Sequence, residues 1–337
     1  MSQHEPFMQR ALHIAQGGVG LTRPNPPVGA VLVKNGRVIA EGFHKKAGLD
    51  HAERACLKSI SGSLKSATLY VTLEPCSTHG RTPPCTDLIL ERGVGQVVVG
   101  CKDPNPVHAG RGIRILRNAG VAVLLGVCRK ESQALIAPFA KRMLTGRPYV
   151  TLKLGITMDG RIADATGQSK WITGPQSRAK VQALRRSADA IWVGAGTVRA
   201  DDPSLLPRPA LGRKPWRVIT GTTIPEQAKI FTDEAADRTL VMNGPLETIL
   251  SELGSRGVMH VLCEGGGELA GSLIRANLVD ELALFVAPSL LGGDGIPMVG
   301  KQGWPLSMMP KLSFQSVEQC GNDLYIRALP VDGPSCG

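Results

Sequence analysis

Thr72-Leu73-Glu74-Pro75-Cys76-Ser77-Thr78-His79-Gly80-Arg81-Thr82-Pro83-Pro84-Cys85, read together with His51-Ala52-Glu53, decides the fold and the chemistry of the first half of this chain. The β-branched run Thr68 to Leu73 reads as a strand, and Glu74-Pro75-Cys76 leads out of it into what reads as a helix start at Cys76. His51 opens a second predicted helix, His51 to Ile60. Strand ends and helix starts would thus bring one imidazole, His51, to two thiolates, Cys76 and Cys85. Such a set suits Zn²⁺ with a fourth position left for water, the open arrangement of a catalytic site. A helix start at Cys76 would favour its thiolate, and zinc lowers the pKa of bound water toward about 7. Glu53 need not bind metal and is placed to move protons.

Outward from these segments the order is helix, hairpin, helix, strand, helix, strand. An amphipathic start, Phe7 to Gln16, precedes Val28 to Val33, an Asn35-Gly36 turn and Val38 to Gly42. Thr86 to Arg92 reads as helix and Val94 to Gly100 as a strand covered on both faces. Ile113 to Asn118 and Val121 to Leu125 repeat the unit, giving a layered α/β/α pattern. One helix, Glu131 to Leu144, is expected to end at Thr145-Gly146-Arg147-Pro148, which places a domain boundary after residue 146.

Beyond the boundary the α/β alternation restarts and runs to about residue 330 without repeating the first half. Strands are predicted at Tyr149 to Leu154, Ala190 to Val193, Arg217 to Thr220, Thr239 to Met242, Met259 to Cys263 and Leu282 to Ala287. Helices are predicted at Pro175 to Ser187, Leu246 to Leu253 and Glu268 to Ala276. Gly194-Ala195-Gly196-Thr197 after one strand and Gly265-Gly266-Gly267 after another read as glycine loops that let backbone N–H groups approach a pyrophosphate. A glycine turn after a strand is often only a turn, so either loop alone is a weak signal.

Composition narrows the function classes. With 42% apolar and 20% charged residues, the 337-residue chain is an ordinary globular protein of two-domain size. Its net charge of +11 fits nucleic acid, an anionic surface or acidic small molecules. The Lys and Arg are dispersed and aromatics are only 4%, which tilts the reading toward phosphorylated metabolites. No run of about 18 apolar residues occurs, and Met1 to Arg10 lacks a signal-peptide core, so a cytoplasmic enzyme without membrane partners is expected. In a reducing compartment Cys76 and Cys85 point to metal, and Cys56, Cys101, Cys128, Cys263, Cys320 and Cys336 to buried or tail positions.

H-x-E followed by P-C-x-x-C is the signature of zinc-dependent deaminases of nitrogen heterocycles, here stretched to P-C-x₈-C. Two other readings stay open. These residues could be ordinary core, or a closed structural zinc site with His79 as fourth ligand; Glu53 beside the metal argues against the second. A transfer-RNA-type nucleic-acid deaminase, or a zinc-containing binding protein with an inactive second domain, are the competing functions.

Over nearly its whole length the chain resembles the bifunctional deaminase/reductases of riboflavin biosynthesis. The Thr72 to Cys85 stretch looks like that family's long zinc loop, which accounts for the spacing. Further resemblance lies in Arg23-Pro24-Asn25-Pro26-Pro27-Val28-Gly29, Asp103-Pro104-Asn105-Pro106 with Gly110 and Gly112, and Lys153-Leu154-Gly155 with Met158-Asp159-Gly160-Arg161. Trp171-Ile172-Thr173, Gly196-Thr197 and Asp201-Asp202-Pro203 complete it. Thr78 stands where a His is frequent, and Leu135-Ile136-Ala137 lacks an Asn often found there.

The resemblance implies a cytidine-deaminase-like α/β/α domain over 1–146 and a dihydrofolate-reductase-like α/β domain over 147–330. It implies hydrolytic deamination of 2,5-diamino-6-(5-phosphoribosylamino)pyrimidin-4-one with Zn²⁺, then NADPH-dependent reduction of the ribosyl side chain to ribityl. Glu53 would be catalytic and His51, Cys76 and Cys85 the ligands. Asn25, His44 and His79 would contact the first substrate, and Lys153, Ser169, Arg185, Leu205, Arg208 and Glu264 the second. Gly155, Trp171, Thr197, Asp201 and the run Gly266, Gly267, Glu268, Leu269, Ala270, Gly271 and Ser272 would contact NADPH. Arg185 and Arg208 suit a phosphate, since guanidinium binds it bidentately. A phosphorylated pyrimidine partner rather than nucleic acid is implied, as is a homo-oligomer, a dimer formed through the reductase half.

Overall fold

The computed structural model describes residues 3–79, 83–210, 213–300 and 302–331, and the chain forms two compact units, Met1–Thr145 and Gly146–Gly337. Gly80, Arg81 and Thr82 of the long loop, and Cys336, lie outside the described residues. Both units are mixed α/β, as the alternation of apolar runs predicts.

In the first unit, α1 (Glu5–Ala15) precedes the hairpin β1 (Gly29–Lys34) and β2 (Arg37–Phe43). The hairpin turns on Asn35 and Gly36, both at positive φ (52° and 72°), the backbone a tight two-residue turn demands. There follow α2 (Ala52–Lys58), β3 (Ala67–Leu73), α3 (Cys85–Glu91), β4 (Gln96–Cys101), α4 (Arg111–Asn118), β5 (Ala122–Leu125), α5 (Arg129–Leu135) and α6 (Ala137–Thr145). The sheet runs β2-β1-β3-β4-β5, with β3, β4 and β5 parallel and β1 antiparallel to both its neighbours. One face buries Leu69, Val97 and Val99 against Leu57, Ile89 and Leu116 of α2, α3 and α4. The other buries Val31, Tyr70 and Val98 under Met8, Ala11 and Leu12 of α1. Burial on both faces explains why β3 and β4 are nearly continuous apolar runs.

Two local expectations need correction. No helix starts at Cys76, whose segment to His79 is non-helical; α3, read from sequence at Thr86, starts at Cys85, where Pro84, with no N–H to donate, is its extended N-cap (φ −54°, ψ 143°). The single helix Glu131 to Leu144 is two, broken at Ile136 (φ −103°, ψ 8°). Pro138 has no N–H to donate and its ring clashes with the carbonyl of residue 134, so the chain restarts rather than continues.

The second unit comprises β6 (Tyr149–Thr157), β7 (Arg161–Ala163), α7 (Pro175–Ser187), β8 (Ala190–Gly194), α8 (Ala195–Asp201), β9 (Trp216–Thr220), α9 (Lys229–Thr232), β10 (Thr239–Val241), α10 (Leu246–Ser255), β11 (His260–Cys263), α11 (Gly267–Arg275), β12 (Glu281–Ala287), β13 (Ile296–Pro297), β14 (Leu312–Cys320) and β15 (Asp323–Pro330). Its main sheet runs β10-β9-β8-β11-β6-β12-β15-β14; the first six strands are parallel, and β15 and β14 close it antiparallel. Helices cover both faces. Ile249, Leu253, Ala270 and Leu273 of α10 and α11 pack over Val150, Leu152 and Val261. Leu184, Val198 and Ile230 of α7, α8 and α9 pack over Ile191, Ile219 and Leu262.

Gly194 to Thr197 is not a loop: Gly194 closes β8 with extended backbone and α8 begins at Ala195. Ligand sites in open parallel sheets gather at the carboxyl ends of the strands. Here those ends carry Gly155 on β6, Glu264 after β11, Gly194 on β8 and Thr220 on β9. Among the described residues no helix is long and apolar enough to cross a membrane.

A candidate zinc site and a candidate nucleotide cleft

His51 is the N-cap of α2, in extended backbone (φ −66°, ψ 163°), and Glu53 lies in that helix's first turn. Cys76 follows β3, and Cys85 is the first residue of α3. The three ligand atoms lie within 4.8 Å of one another, with Cys76 Sγ 3.4 Å and Cys85 Sγ 3.5 Å from His51 Nδ1. The Cys85 N–H donates to Cys76 Sγ at 3.3 Å, so the start of α3 does face the Cys76 sulfur, from nine residues away in sequence. His79 is exposed and not a member of this group, so among the described residues there is no fourth protein ligand. One imidazole and two sulfurs form the donor set of an open zinc site, and these residues fit the ion.

The electrostatics suit metal capture. A hydrogen bond from Cys85 draws the Cys76 thiol down to about 4 against its burial, and His51 adds to the drop. Donating that bond from a buried position, Cys85 is raised, as is His51 by its bond to Cys76. Burial pushes the Glu53 carboxyl up to about 7; the charge on Cys76 adds to the rise and His51 opposes it. Only 4% of Glu53 is exposed.

His44 and Asn25 form a polar wall beside this group. The His44 ring is edge-on to His51, centroids 5.2 Å apart. His44 Nδ1 lies 3.0 Å from the Asp50 carbonyl, which can only accept, so Nδ1 carries the proton. Neutral Nε2 then accepts from Asn25 Nδ2 at 3.0 Å, and burial, the largest influence, lowers the His44 pKa. One residue of the motif had no role assigned from sequence: Glu74 accepts N–H bonds from Asp103, Gly110, Gly112 and Ile113. Its signal was a carboxylate directly after a strand that is buried along most of its length.

In the second unit a cleft of about 1880 Å³ opens over the strand ends. At its floor Glu264 takes two bonds from Arg185, Nε to Oε1 at 2.6 Å and Nη2 to Oε2 at 2.9 Å, while Lys153 Nζ stands 3.0 Å from Oε2. Burial alone would raise Glu264; the two cations reverse that and hold it well below the carboxylate range. Arg185 is thus already paired. Arg208 is exposed, its N–H held by Gln182 at 2.9 Å and its carbonyl by Arg186 at 3.0 Å. Leu205 is buried at φ +60°.

Also lining the cleft, Ser169 donates to Asp201 at 3.1 Å, and the 72%-exposed Trp171 stacks on Arg178, whose guanidinium carbon is 4.5 Å from the ring centroid. Gly155, Thr197, Gly266, Gly267, Glu268, Leu269 and Ser272 line the same cleft. Ala270 and Gly271 do not: Ala270 belongs to the core, and a Cβ on Gly271 would meet the Gly300 carbonyl at 2.5 Å. Gly194 and Gly266 cap α8 and α11, bringing two helix N-termini to adjacent strand ends. A Cβ on either glycine would meet nothing closer than 3.5 Å, so the backbone is open to a pyrophosphate, and the residues fit a dinucleotide. Arg199, Thr222 and Thr223 also line the cleft, with Arg199 Nη1 donating to both threonine carbonyls; spacing in the sequence gave no sign of them.

Residues 148–326 match the RibD C-terminal domain, and residues 1–101 match the cytidine and deoxycytidylate deaminase zinc-binding region. The riboflavin biosynthesis protein RibD of Bacillus amyloliquefaciens is 40% identical over 359 residues, covering 98% of this chain and 97% of that protein. RibD of Escherichia coli K12 is 40% identical, covering 96% and 98%. The solved structure of Acinetobacter baumannii RibD superposes with a TM-score of 0.88 at 38% identity, covering 98% and 99%. A Thermotoga maritima protein described as a diaminohydroxyphosphoribosylaminopyrimidine deaminase/5-amino-6-(5-phosphoribosylamino)uracil reductase superposes at 0.87 with 39% identity, covering 97% and 99%. With a unit matching the cytidine deaminase zinc-binding region followed by one matching the RibD C-terminal domain, the chain belongs to the RibD family, bifunctional deaminase–reductases of riboflavin biosynthesis that use zinc and NADPH.

Proposed function

We propose that residues 1–146 deaminate 2,5-diamino-6-(5-phosphoribosylamino)pyrimidin-4-one and that residues 147–330 reduce the ribosyl chain of the product to ribityl. The observation that carries this reading is the His51, Cys76 and Cys85 donor group with a buried, unligated Glu53 in the same helix turn. Zinc supplies the Lewis acidity that makes a water nucleophilic at neutral pH. Glu53 takes the proton from the attacking water and passes it to the departing ammonia, a task suited to a carboxyl near 7. Asn25 and the Nδ1-protonated His44 hold the ring beside the ligands, with His79 contacting substrate from its exposed position.

In the second unit NADPH supplies a hydride to the imine form of the opened ribosylamine. The backbone at Gly194–Thr197 and Gly266–Gly267 receives the dinucleotide, with Gly155, Trp171, Asp201 and the α11 residues Glu268, Leu269 and Ser272 around it. Lys153 and Arg185, fixed by Glu264, orient the sugar, with Ser169 and Leu205 beside it. Arg208, exposed and held by its main chain, meets the phosphate.

Three further readings complete the proposal. The occupant is a small phosphorylated pyrimidine and not nucleic acid, supported by the scarcity of aromatics and by cations already paired, as Arg185 is with Glu264 and Arg217 with Asp233. The enzyme works in the cytoplasm. It is a homodimer through the second unit, where the bulge between Phe314 and Ser316 puts Phe314 and Val317, both exposed, on the same sheet face as Leu324 and Ile326.

A coupled assay tests the reading: zinc-loaded protein is given the diaminopyrimidinone phosphate and ammonia is followed, then NADPH is added and its absorbance followed. Ammonia release followed by oxidation that depends on the deaminated product is expected. Absence of both signals would end the assignment.

A further inference from the structure

Glu74 directly follows β3, two residues before Cys76, and is 5% exposed, yet it is not a member of the metal group. Its carboxylate is spent on main chain. Oε2 accepts the N–H of Asp103 (3.2 Å) and of Gly110 (2.8 Å), and Oε1 accepts those of Gly112 (2.9 Å) and Ile113 (3.3 Å). One oxygen therefore closes the loop from Asp103 to Gly110 on itself. The other serves the first turn of α4, whose N–H groups have no intrahelical partners. The N-cap of α4 is Gly110 at φ +76°, which has no side chain to do this, so the cap comes from another element.

The contact is close throughout. A Cβ on Gly112 would stand 2.1 Å from the Pro75 carbonyl, so α4 rests directly on the main chain between Glu74 and the Cys76 ligand. Asp103 Oδ1 accepts the Asn105 N–H at 2.8 Å, and the Asp103 carboxyl, raised first by burial, also responds to the charges of Glu74 and Cys76. Bonded to Glu74 and resting on the Pro75 carbonyl, the loop and the α4 start lie beside the turn that carries Cys76, and Glu74 is what ties them there.

We propose that Glu74 is a positioning residue of the deaminase: by holding the Asp103–Gly110 loop and the α4 start against the Cys76 turn, it sets the wall against which the pyrimidine binds, without touching substrate or metal. The inference rests on reading the first unit as a pyrimidine deaminase.

Glu74→Gln tests it in the full-length, zinc-loaded chain. Gln keeps the size and one accepting oxygen, but its amide nitrogen would face two N–H donors, releasing half of the clamp. Ammonia release is measured against pyrimidine concentration, with zinc content, the visible spectrum of the cobalt-substituted protein, and NADPH oxidation on deaminated product as controls. KM should rise about tenfold, the scale of a lost buried hydrogen bond, with kcat within about threefold and the three controls unchanged. Gly112→Ala, which pushes α4 off Pro75 while leaving Glu74 intact, should raise KM in the same way. Wild-type KM in Glu74→Gln overturns the inference while leaving the deaminase reading standing. Parallel loss of kcat, zinc and the cobalt spectrum also overturns it, making Glu74 a metal-site support. A wild-type chain that releases no ammonia removes the deaminase reading and the inference together.

Discussion

Arg185 and Glu264 meet fork to fork, two parallel N–H···O bonds of 2.6 and 2.9 Å at the floor of the second unit's cleft, and Lys153 approaches the same carboxylate from β6 at 3.0 Å. One buried anion therefore serves two cations. Removing it leaves both unpaired, and loss of one partner of a buried ion pair costs about 3–5 kcal/mol. Glu264→Gln is expected to lower the second unit's stability on that scale in urea denaturation and to slow NADPH-dependent reduction. The pH dependence follows from the sign. Glu264 is held below its ordinary 4.5, so its contribution is complete above about 4.5 and is lost as pH falls from there through the folded value. Wild-type stability should drop with acid below about 4.5 with a slope that Glu264→Gln reduces; equal slopes would contradict the pairing.

Zinc uptake should expel protons. Cys85 is raised by its bond to Cys76 and by burial, so it enters metal binding as a thiol and must leave as a thiolate. Calorimetric titration of the metal-free protein in two buffers of different ionisation enthalpy should show release of at least one proton per zinc, and apparent affinity should rise with pH. Zero proton release would refute the thiol state. Chelation should abolish ammonia release and leave reduction of deaminated product intact.

Glu53→Gln should reduce ammonia release by about 10²–10⁴-fold while the protein keeps its zinc. A second effect concerns the metal-free protein. Because the folded carboxyl is raised from 4.5 to about 7, its favourable contribution is present below about 4.5 and is lost as pH rises through about 7. The difference corresponds to roughly 3 kcal/mol. Metal-free Glu53→Gln should therefore be less sensitive than wild type to a change from pH 5 to pH 8, read by thermal denaturation. Identical pH profiles would place the Glu53 carboxyl in water.

The dimer can be tested at its apolar face. Phe314 is 68% exposed on β14, and the double substitution Phe314→Glu, Val317→Glu places two charges on the face shared with Leu324 and Ile326. Sedimentation should give a dimer for the wild type and a monomer for the variant, with the circular dichroism of both alike. The same mass for both would move the interface elsewhere.

Several of these features were legible before any coordinates. Asn35-Gly36 specifies its hairpin because both positions must take positive φ, and His51, Cys76, Cys85 and Glu53 could be grouped because residue type and strand–helix context constrain metal sites tightly. Helix starts were less legible. Cys76 looked like one, yet no helix forms there, whereas the helix read at Thr86 to Arg92 is α3, starting one residue earlier at Cys85; Pro138 divides α5 from α6. β14 and β15 went unread because β14 is exposed along most of its length and carries a bulge, so its side chains lack the two-residue alternation that marks a half-buried strand. Residues that act through main chain, such as Glu74 toward Gly112, leave no periodic trace.

The N–H of Cys85 on the sulfur of Cys76, and the Thr86 N–H on the Cys76 carbonyl at 3.2 Å, join the two thiolate positions directly. The eight residues between them are bypassed by this link. The spacing of the two thiolate positions in space is therefore set by these two bonds at the ends of the stretch, and the number of residues between Cys76 and Cys85 in the sequence does not fix it.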